Sequence, residues 1–415
     1  MKRKVTPLYS PYLRVLPLLF YTLFFSVYMM ASSSSSTNSL RILQWNCRSI
    51  FTNIDQLQQE LSENFYDILA LQSVGTVRKP LPYIQGYYTP YKNAFQKGDK
   101  KIRTAFYVKK GITSSLTKIK GISDSLAITI EMEGNDPVTI INTYLPTGVE
   151  NETHLDWLKN LKQGRFIIIG DFNAKSNLWD PCAKNSDLGG TIIENILDEN
   201  INVCLLNDGS ITRIPDRPGD KPSAIDLSFC STPLFFKLRF ETLNDTLGSD
   251  HFPILLTLED KPKQYALDDS IKFNYSKADW NRFKDLLSSI QFSEDFSNPE
   301  LWYKNFQEIV MNAAINSIPQ YNHNSFISKP NRVVYWNDAC QASKVAFRKA
   351  KKKYCREQSD ENEQAKFQAR SFHNQTMAKA EQDYWSNYLK EKVKSYKDAG
   401  IFVYLQKVAK NKRAI

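Results

Sequence analysis

The chain has 415 residues, of which 42% are hydrophobic and 24% are charged, and its formal net charge is +10. This composition excludes wholesale disorder, and the length leaves room for two or three domains. Six cysteines without a CxxC pair and only four histidines give no support to a disulfide framework, a zinc knuckle or a histidine-built metal site.

The net charge is unevenly distributed along the chain. Residues 1–38 carry +4, residues 39–260 carry −4 and residues 261–415 carry +10. A basic tail on a mildly acidic body is typical of contact with nucleic acid, although a solvated helical surface has the same composition. We therefore predict three regions with these bounds: an apolar N-terminal segment with a serine-rich linker, a globular domain, and a basic helical C-terminal extension.

The N-terminal segment consists of three consecutive stretches of different composition. A basic start at Lys2–Lys4 precedes an apolar run at Leu16–Ala31 and a serine run at Ser32–Ser36. This order is typical of a secretory signal peptide or of a single marginal membrane anchor. The alternative is an upstream fragment joined to the domain by a gene model or an insertion. Membrane association and secretory targeting therefore both stay open.

The globular domain is predicted to contain more strands than helices. The predicted strands are Leu40–Asn46, Asp67–Gln72, Thr104–Val108, Leu126–Ile130, Val138–Tyr144, Ile167–Ile169, Val203–Leu206, Ser223–Phe229, Phe235–Thr242 and Ile254–Leu258. The predicted helices are Ile54–Leu61, His154–Leu161 and Ile192–Asn200. This pattern indicates an α+β fold in which a two-layer β-sandwich is flanked by helices.

The C-terminal extension is predicted to be helical. Helices are expected at Trp280–Ile290 and Leu301–Ile318, then a polar linker at Asn322–Arg332, then lysine-rich helices at Lys344–Arg356 and Glu361–Lys394. Aromatic residues are interleaved with the charges of the last two helices. They favour either contact with DNA or RNA by charge and stacking, or an amphipathic hairpin that packs on a neighbouring surface.

Polar side chains recur where predicted strands end. Asp171 and Asn173 follow a glycine and three branched apolar residues of a buried strand. A carboxylate and a carboxamide at such a place are costly unless they are used. Other polar residues end further strands, namely Asn46, Tyr144, Asp226 and Ser249-Asp250-His251.

This set of side chains suits the hydrolysis of a phosphodiester. That reaction needs an oriented and deprotonated water, a divalent cation, donors for the phosphate oxygens and stabilisation of the leaving oxyanion. Carboxylates and amides with few histidines favour Mg²⁺ or Mn²⁺ as the cation. No small-molecule cofactor is predicted.

Six blocks carry a family resemblance, in the family's order: Trp45–Arg48, Leu69–Gln72, Asn142–Pro146, Gly170–Ala174, Ser223–Leu227 and Gly248–Ile254. Together they resemble the endonuclease/exonuclease/phosphatase superfamily, and more narrowly the apurinic-type endonuclease domain of non-LTR, LINE-like retrotransposons. Further on, Tyr335–Cys340 and the basic stretch after it resemble the connector that such elements place before their reverse transcriptase. The resemblance implies a DNase-like fold, a divalent metal and DNA as the substrate.

The resemblance also implies catalytic roles. Asp171 would orient or deprotonate the attacking water. Asn173, Tyr144 and His251 would bind the scissile phosphate and its developing charge. Asp226 would support the site near the leaving group.

Metal binding is implied at two further residues, Asn46 and Asp250, of which Asp250 would alternatively pair with His251. The family follows Leu-Gln with a glutamate that is the main metal ligand, but this chain has Ser73 there. Because a neutral hydroxyl does not replace a carboxylate, we expect weaker Mg²⁺ binding.

Three hypotheses follow. The first is a metal-dependent DNA endonuclease domain of a non-LTR retrotransposon, cut short before its polymerase and with activity impaired by Ser73. This endonuclease would act in the nucleus, where it would nick DNA and leave a 3′-hydroxyl for priming. The second is a catalytically inactive nucleic-acid-binding relic of the same fold. The third is a secreted phosphodiesterase of the same superfamily.

Overall fold

In the computed structural model, the residues described are 39–92, 101–118, 125–146, 164–264, 274, 277–288, 299–319 and 332–395. The N-terminal segment, the predicted helix His154–Leu161 and nearly all of the polar linker lie outside these residues. The chain from Leu40 onward forms one unit. Within the described residues, no helix is long and apolar enough to cross a bilayer.

Twelve strands are present in the described part of the chain. In chain order they are β1 (Leu40–Asn46), β2 (Ile68–Thr76), β3 (Tyr91–Lys92), β4 (Lys101–Val108), β5 (Ser114–Thr117), β6 (Ser125–Met132), β7 (Asn135–Tyr144), β8 (Arg165–Asp171), β9 (Val203–Leu205), β10 (Asp226–Ser231), β11 (Leu238–Thr242) and β12 (Ile254–Leu258). They form two sheets, with strand orders β11-β12-β1-β2-β4-β3 and β5-β6-β7-β8-β10-β9. Both sheets are mixed, because β1 pairs in parallel with β2 and β7 with β8 while the other pairs are antiparallel.

The central strands are apolar at nearly every position, because successive side chains point to opposite faces of the sheet and both faces are buried. In β8, Ile167 and Ile169 enter the core between the two sheets, while Ile168 packs on the outer face of its sheet. In β1, Ile42 faces the core and Leu43 faces outward. Each sheet therefore has two buried faces, one against the other sheet and one beneath a helix.

The helices that cover the outer faces are α1 (Ile50–Glu63) and α2 (Leu188–Glu199). Helix α1 packs Ile54, Leu57 and Leu61 on the first sheet. Helix α2 packs Ile192, Ile193 and Ile196 on the second sheet. The predicted two-layer α+β sandwich with flanking helices is confirmed.

Two strands begin three residues later than predicted. The segment Thr232–Lys237 is a 3₁₀-helix, so the strand predicted to begin at Phe235 begins at Leu238. Pro233 stands at the start of this helix, where its fixed φ and missing N–H are tolerated. The strand predicted from Ser223 begins only at Asp226, because Ser223 pairs with Arg213 in an isolated bridge.

The C-terminal region contains α3 (Trp280–Ser288), α4 (Pro299–Ser317), α5 (Asp338–Arg356) and α6 (Asp360–Ser395). Helices α5 and α6 form a hairpin that packs on the sandwich, as one of the two interpretations of this region predicted. Its lysines are part of the contact. Lys344 pairs with Asp245 at 2.9 Å, and Lys366 donates a hydrogen bond to the carbonyl oxygen of Pro215 at 3.2 Å.

Candidate active site

Three strands of the second sheet have one terminus each side by side, and each terminus carries a polar residue: β7 and β8 end there, whereas the antiparallel strand β10 begins there. In the strand register Tyr144 of β7 lies opposite Asp171 of β8, and Asp171 lies opposite Asp226 of β10. Asp171 continues the inward-facing series of Ile167 and Ile169, so its side chain enters the space between the sheets. Asn46, at the end of β1, reaches the same space from the first sheet.

A polar layer separates this group from the apolar core. Gln72 Nε2 donates to Asn142 Oδ1 at 2.7 Å, and Ser228 Oγ donates to Gln44 Oε1 at 3.2 Å. All four residues are buried. None of the four was predicted as a site residue, although Gln72 and Asn142 lie within two of the family blocks. Gln44, Asn142 and Ser228 each lie two residues from a site residue on the same strand, and that spacing places them on the inward face.

Asp171 is held in place by two donors. Asn46 Nδ2 donates to its Oδ2 at 2.7 Å, and the backbone N–H of Asn173 donates to its Oδ1 at 3.1 Å. Burial and the neighbouring carboxylate of Asp226 raise the pKa of Asp171 to about 7, against the lowering effects of His251 and these donors. An aspartate with this pKa is suited to accept a proton near neutral pH.

His251 lies between three carboxylates. Its Nδ1 is 2.7 Å from Asp226 Oδ2, and its Nε2 is 4.0 Å from Asp171 Oδ2 and 3.8 Å from Asp250 Oδ1. Burial alone would lower the pKa of His251, but Asp226, Asp171 and Asp250 outweigh it and raise the pKa to about 9. The imidazole is therefore a cation at neutral pH, with Asp226 fixing the orientation of the ring.

Asp250 is set among cations. Its Oδ2 is 3.1 Å from both Arg48 Nη1 and Arg213 Nε. Burial raises the pKa of Asp250, but His251 and the two arginines overcome this effect and hold the pKa below its usual range. Sequence analysis assigned no role to either arginine. Arg48 was visible in the first family block, whereas Arg213 lies outside all six blocks.

The ion pairs of Arg48 continue away from the site. Its Nη1 is also 2.9 Å from Asp216 Oδ2, and Asp216 Oδ1 is 2.6 Å from Arg370 Nη1 on α6. A chain of alternating charges thus connects the C-terminal hairpin to Asp250. These outer pairs are partly exposed, so each contributes about 1 kcal/mol or less to stability.

Asn173 and Tyr144 lie at the rim of the site. Asn173 has a left-handed backbone, with φ of 46°, and its Nδ2 donates to the carbonyl oxygen of Leu145 at 2.7 Å. Tyr144 is half-buried, and the guanidinium carbon of Arg103 is 5.7 Å from the centroid of its ring.

Ser73 follows Gln72 at an irregularity between β2 and β4. Its φ is 51°, and its carbonyl oxygen accepts a hydrogen bond from the backbone N–H of Ser49 at 2.8 Å. Gln72 pairs in register with Asn46, so Ser73, the next residue of β2, lies close to Asn46 at the edge of the site. The structure therefore brings all seven predicted site residues, and the substituted position, to one end of the sandwich.

The donor set fits a divalent cation. The ligand atoms of Asp171, Asp226 and His251 lie within 4.8 Å of one another, although a protonated imidazole must lose its proton before it binds a metal. Asp226 Oδ1 and Asp250 Oδ1 are buried carboxylate oxygens for which the described residues supply no hydrogen-bond partner. A buried carboxylate oxygen without a donor is costly, and a cation would satisfy it.

The family comparison agrees with this geometry. Residues 138–255, which carry Tyr144, Asp171, Asn173, Asp226 and His251, match the family model described as endonuclease-reverse transcriptase. The sandwich that contains this match is similar to proteins of the endonuclease/exonuclease/phosphatase (EEP) superfamily and is named the EEP domain for that similarity. The match contains six of the seven predicted site residues, while Asn46 and the substituted position Ser73 precede it in the chain. No curated protein matches the chain.

Three solved structures are similar to the EEP domain. The endonuclease domain of TRAS1, a telomere-specific non-LTR retrotransposon, is 21% identical, covers 53% of this chain and 98% of its own, and has a TM-score of 0.45. The AP endonuclease LMAP of Leishmania major is 13% identical, with coverage of 56% and 90% and a TM-score of 0.46. The APE2 catalytic domain of Xenopus laevis is 17% identical, with coverage of 55% and 94% and a TM-score of 0.45.

Proposed function

We propose that the EEP domain hydrolyses a phosphodiester bond of DNA with the help of a divalent metal ion, as the endonuclease of a non-LTR retrotransposon. The observation that carries this proposal is the buried cluster in which Asn46 orients Asp171, Asp226 orients His251, and Asp171 and His251 face each other. Asp171, with a pKa of about 7, stands 4.0 Å from His251, with a pKa of about 9. One group is suited to take a proton, and the other carries a positive charge.

Asp171 is the general base in this proposal. It accepts the proton of the attacking water at a carboxylate oxygen, while Asn46 and the backbone N–H of Asn173 keep the carboxylate in one orientation. A positioned base near its pKa contributes about 10²–10⁴-fold to a rate. Burial supports this role because it raises the pKa of Asp171, so the carboxylate accepts a proton more readily.

His251 binds the phosphate. Asp226 engages Nδ1, so the Nε2–H points into the space between Asp171 and Asp250. A donor that is already fixed before the reaction stabilises the negative charge that develops on the phosphoryl oxygens. Asn173 and Tyr144 at the rim add donors for the remaining oxygens.

The Oδ1 atoms of Asp226 and Asp250, together with the amide oxygen of Asn46, would hold the cation, with Mg²⁺ or Mn²⁺ favoured by these hard oxygen atoms. When bound, the cation supplies charge neutralisation of the phosphate and of the leaving oxyanion. DNA is the proposed partner and the nucleus the proposed place of action.

Ser73 favours a second candidate, a nucleic-acid-binding relic without catalysis. A hydroxyl provides no charge at the place where the family has a carboxylate, although the remaining donors are intact. The endonuclease candidate predicts Mg²⁺-dependent nicking by the wild-type chain, whereas the relic predicts none.

Nicking of a supercoiled plasmid, titrated with Mg²⁺, tests both candidates. We expect slow nicking by the wild-type chain, and faster nicking at lower Mg²⁺ concentrations by the Ser73→Glu variant. The matched control is Ser62→Glu, which adds the same charge at the end of α1. Nicking only by Ser73→Glu would favour the relic, and nicking by neither chain would contradict the proposal.

A further inference from the structure

A cavity of about 370 Å³ lies where the C-terminal hairpin meets the EEP domain. One wall is formed by α1 and by the loop that contains Asp245, Thr246 and Gly248. The other wall is formed by α5 and α6. The cavity is separate from the candidate active site, since none of the seven site residues lines it.

Lys351 of α5 is a buried cation in this cavity. It is 6% exposed, its Nζ donates to Thr246 Oγ1, and the ammonium lies 4.1 Å from the centroid of the Phe347 ring. Both of these partners are neutral. The nearby carboxylate of Asp245 is instead paired with Lys344 at 2.9 Å.

Lys351 therefore forms no direct ion pair within the described residues, and the carboxylates of Asp245, Asp216 and Asp250 act on it only from a greater distance. An ammonium has three N–H donors, and Thr246 accepts only one of them. Burial lowers the pKa of Lys351 to about 8, although Asp245 and Asp216 oppose the shift. A buried cation with unused donors is costly unless an anion joins it.

Arg348 adds a second cation at the same cavity. It lies one helical turn before Lys351, lines the cavity and is exposed, and the described residues offer it no ion-pair partner. The cavity is lined by four cations and three carboxylates, namely Lys344, Arg348, Lys351 and Arg370 with Asp55, Asp245 and Glu381. Lys344 pairs with Asp245, and Arg370 pairs with Asp216. Lys351 and Arg348 are therefore the two cations whose N–H donors fit the oxygens of a phosphate group.

The position of the cavity relates it to the active site. Gly248 lines the cavity, and His251 follows three residues later in the chain. Three residues span at most roughly 11 Å. A DNA strand carries one charge per ~3.4 Å of helix axis, so a strand bound at His251 extends past this distance within a few nucleotides. A single strand can therefore reach both places.

We propose that this cavity is a second phosphate-binding site for the DNA strand, in which Lys351 and Arg348 bind a backbone phosphate a few nucleotides from the one at His251. This inference rests on the proposed function, because it takes DNA as the ligand. It gives the basic connector a specific task, which is to extend the DNA-binding surface beyond the EEP domain.

The test is a binding measurement that does not depend on catalysis. Fluorescence anisotropy of a short fluorescein-labelled duplex is followed with the full chain in EDTA over a range of salt concentrations. We compare Lys351→Met with Lys349→Met, which removes the same charge from the exposed, opposite side of α5. Loss of a phosphate contact should weaken binding about tenfold and lower the salt slope by about one in Lys351→Met, with less than about a threefold change in Lys349→Met.

A second variant protects the test against misfolding. Removing a buried charge should leave the Tm of Lys351→Met unchanged or raised. If that variant fails to fold, Arg348→Met, which changes an exposed residue, must show the same loss of affinity and of salt slope. Equal effects of Lys351→Met and Lys349→Met, or unchanged binding in Arg348→Met, would overturn the inference.

A further arm separates DNA from a free anion. If inorganic phosphate raises the Tm of the wild type but not of Lys351→Met, while DNA affinity is the same in both, the cavity serves a free phosphate and the inference is wrong. Because the binding assay contains no metal, the inference can hold when nicking fails, and nicking can hold when the inference fails.

Discussion

The imidazole of His251 and the carboxylate of Asp226 form a buried pair, with Nδ1 2.7 Å from Oδ2. Asp226 lies on β10 and His251 precedes β12, so the pair joins the two sheets of the sandwich. The pair sets both the direction of the ring and its charge. The proposed function therefore depends on a residue that does not itself need to touch the scissile phosphate.

Replacing Asp226 with Asn should abolish most of the activity. The variant keeps the shape of the side chain but removes the charge that holds His251 as a cation. We expect the nicking rate to fall by about 10²-fold or more while the fold is retained. The measurement is the single-turnover rate at saturating Mg²⁺, with Asp208→Asn in an exposed turn as the control. A fall of less than about threefold would contradict the role of the pair.

Gly170 should tolerate no side chain. A Cβ at this residue would clash with the carbonyl oxygen of Thr143 on the neighbouring strand β7. Gly170→Ala is therefore expected to cost about 3 kcal/mol or more in the free energy of unfolding, measured by urea titration. In the control Gly209→Ala, a Cβ meets no atom within 4 Å, so only the strain of its φ of 86° remains, about 1 kcal/mol. Equal costs in the two variants would show that the close approach of β7 and β8 is wrong.

Acidification should loosen the hairpin from the EEP domain. His373 of α6 is bridged by Gln56 Nε2, 2.9 Å from its Nε2, and by Ser343 Oγ, 2.9 Å from its Nδ1. The amide nitrogen of Gln56 donates, so the ring accepts at Nε2 and is neutral. Burial lowers the pKa of His373, with Lys344 and Lys351 adding to the effect and Asp245 opposing it.

The sign of this effect follows from linkage. The docked state binds a proton less readily than the undocked state, so docking is most stable above the ordinary pKa of about 6.5 and weakens as the pH falls below it. The protection factors of α6 amides against hydrogen exchange should therefore fall between about pH 7 and pH 5 in the wild type. His373→Asn should remove most of this pH dependence, and His323→Asn is the control at a histidine outside the described residues. Equal pH dependence in wild type and His373→Asn would contradict the assignment.

Much of the sandwich is predictable from sequence because its central strands are buried on both faces. A short, continuous apolar run such as Ile167–Ile169 is buried completely when it forms a strand in a sheet that is covered on both faces, and few other local structures bury all of its side chains. The polar ends of these strands identified the site for the same reason, since Asp171 at the end of β8 is costly unless it is paired. The family resemblance then supplied the partner strands that local patterns do not connect.

The remaining features depend on contacts that sequence patterns do not encode. Arg213 reaches Asp250 from a loop, where no periodicity fixes the direction of a side chain. Lys351 and Lys366 are buried, against the usual preference of lysine, because Thr246 and Pro215 of the EEP domain offer oxygen atoms to them. The docking of the hairpin was one of two open interpretations, because a basic amphipathic helix has the same pattern whether it faces protein or solvent.

Plasmid nicking by Asp171→Asn tests the central claim most directly, because this variant keeps the shape of the side chain and removes its basicity. The change is made in the wild type and in Ser73→Glu, with Asp198→Asn on the exposed side of α2 as the control. We predict that Asp171→Asn lowers Mg²⁺-dependent nicking by about 10²-fold or more in each active background, and that Asp198→Asn leaves it unchanged. Nicking that persists in Asp171→Asn, or that is absent from both the wild type and Ser73→Glu, would contradict the account.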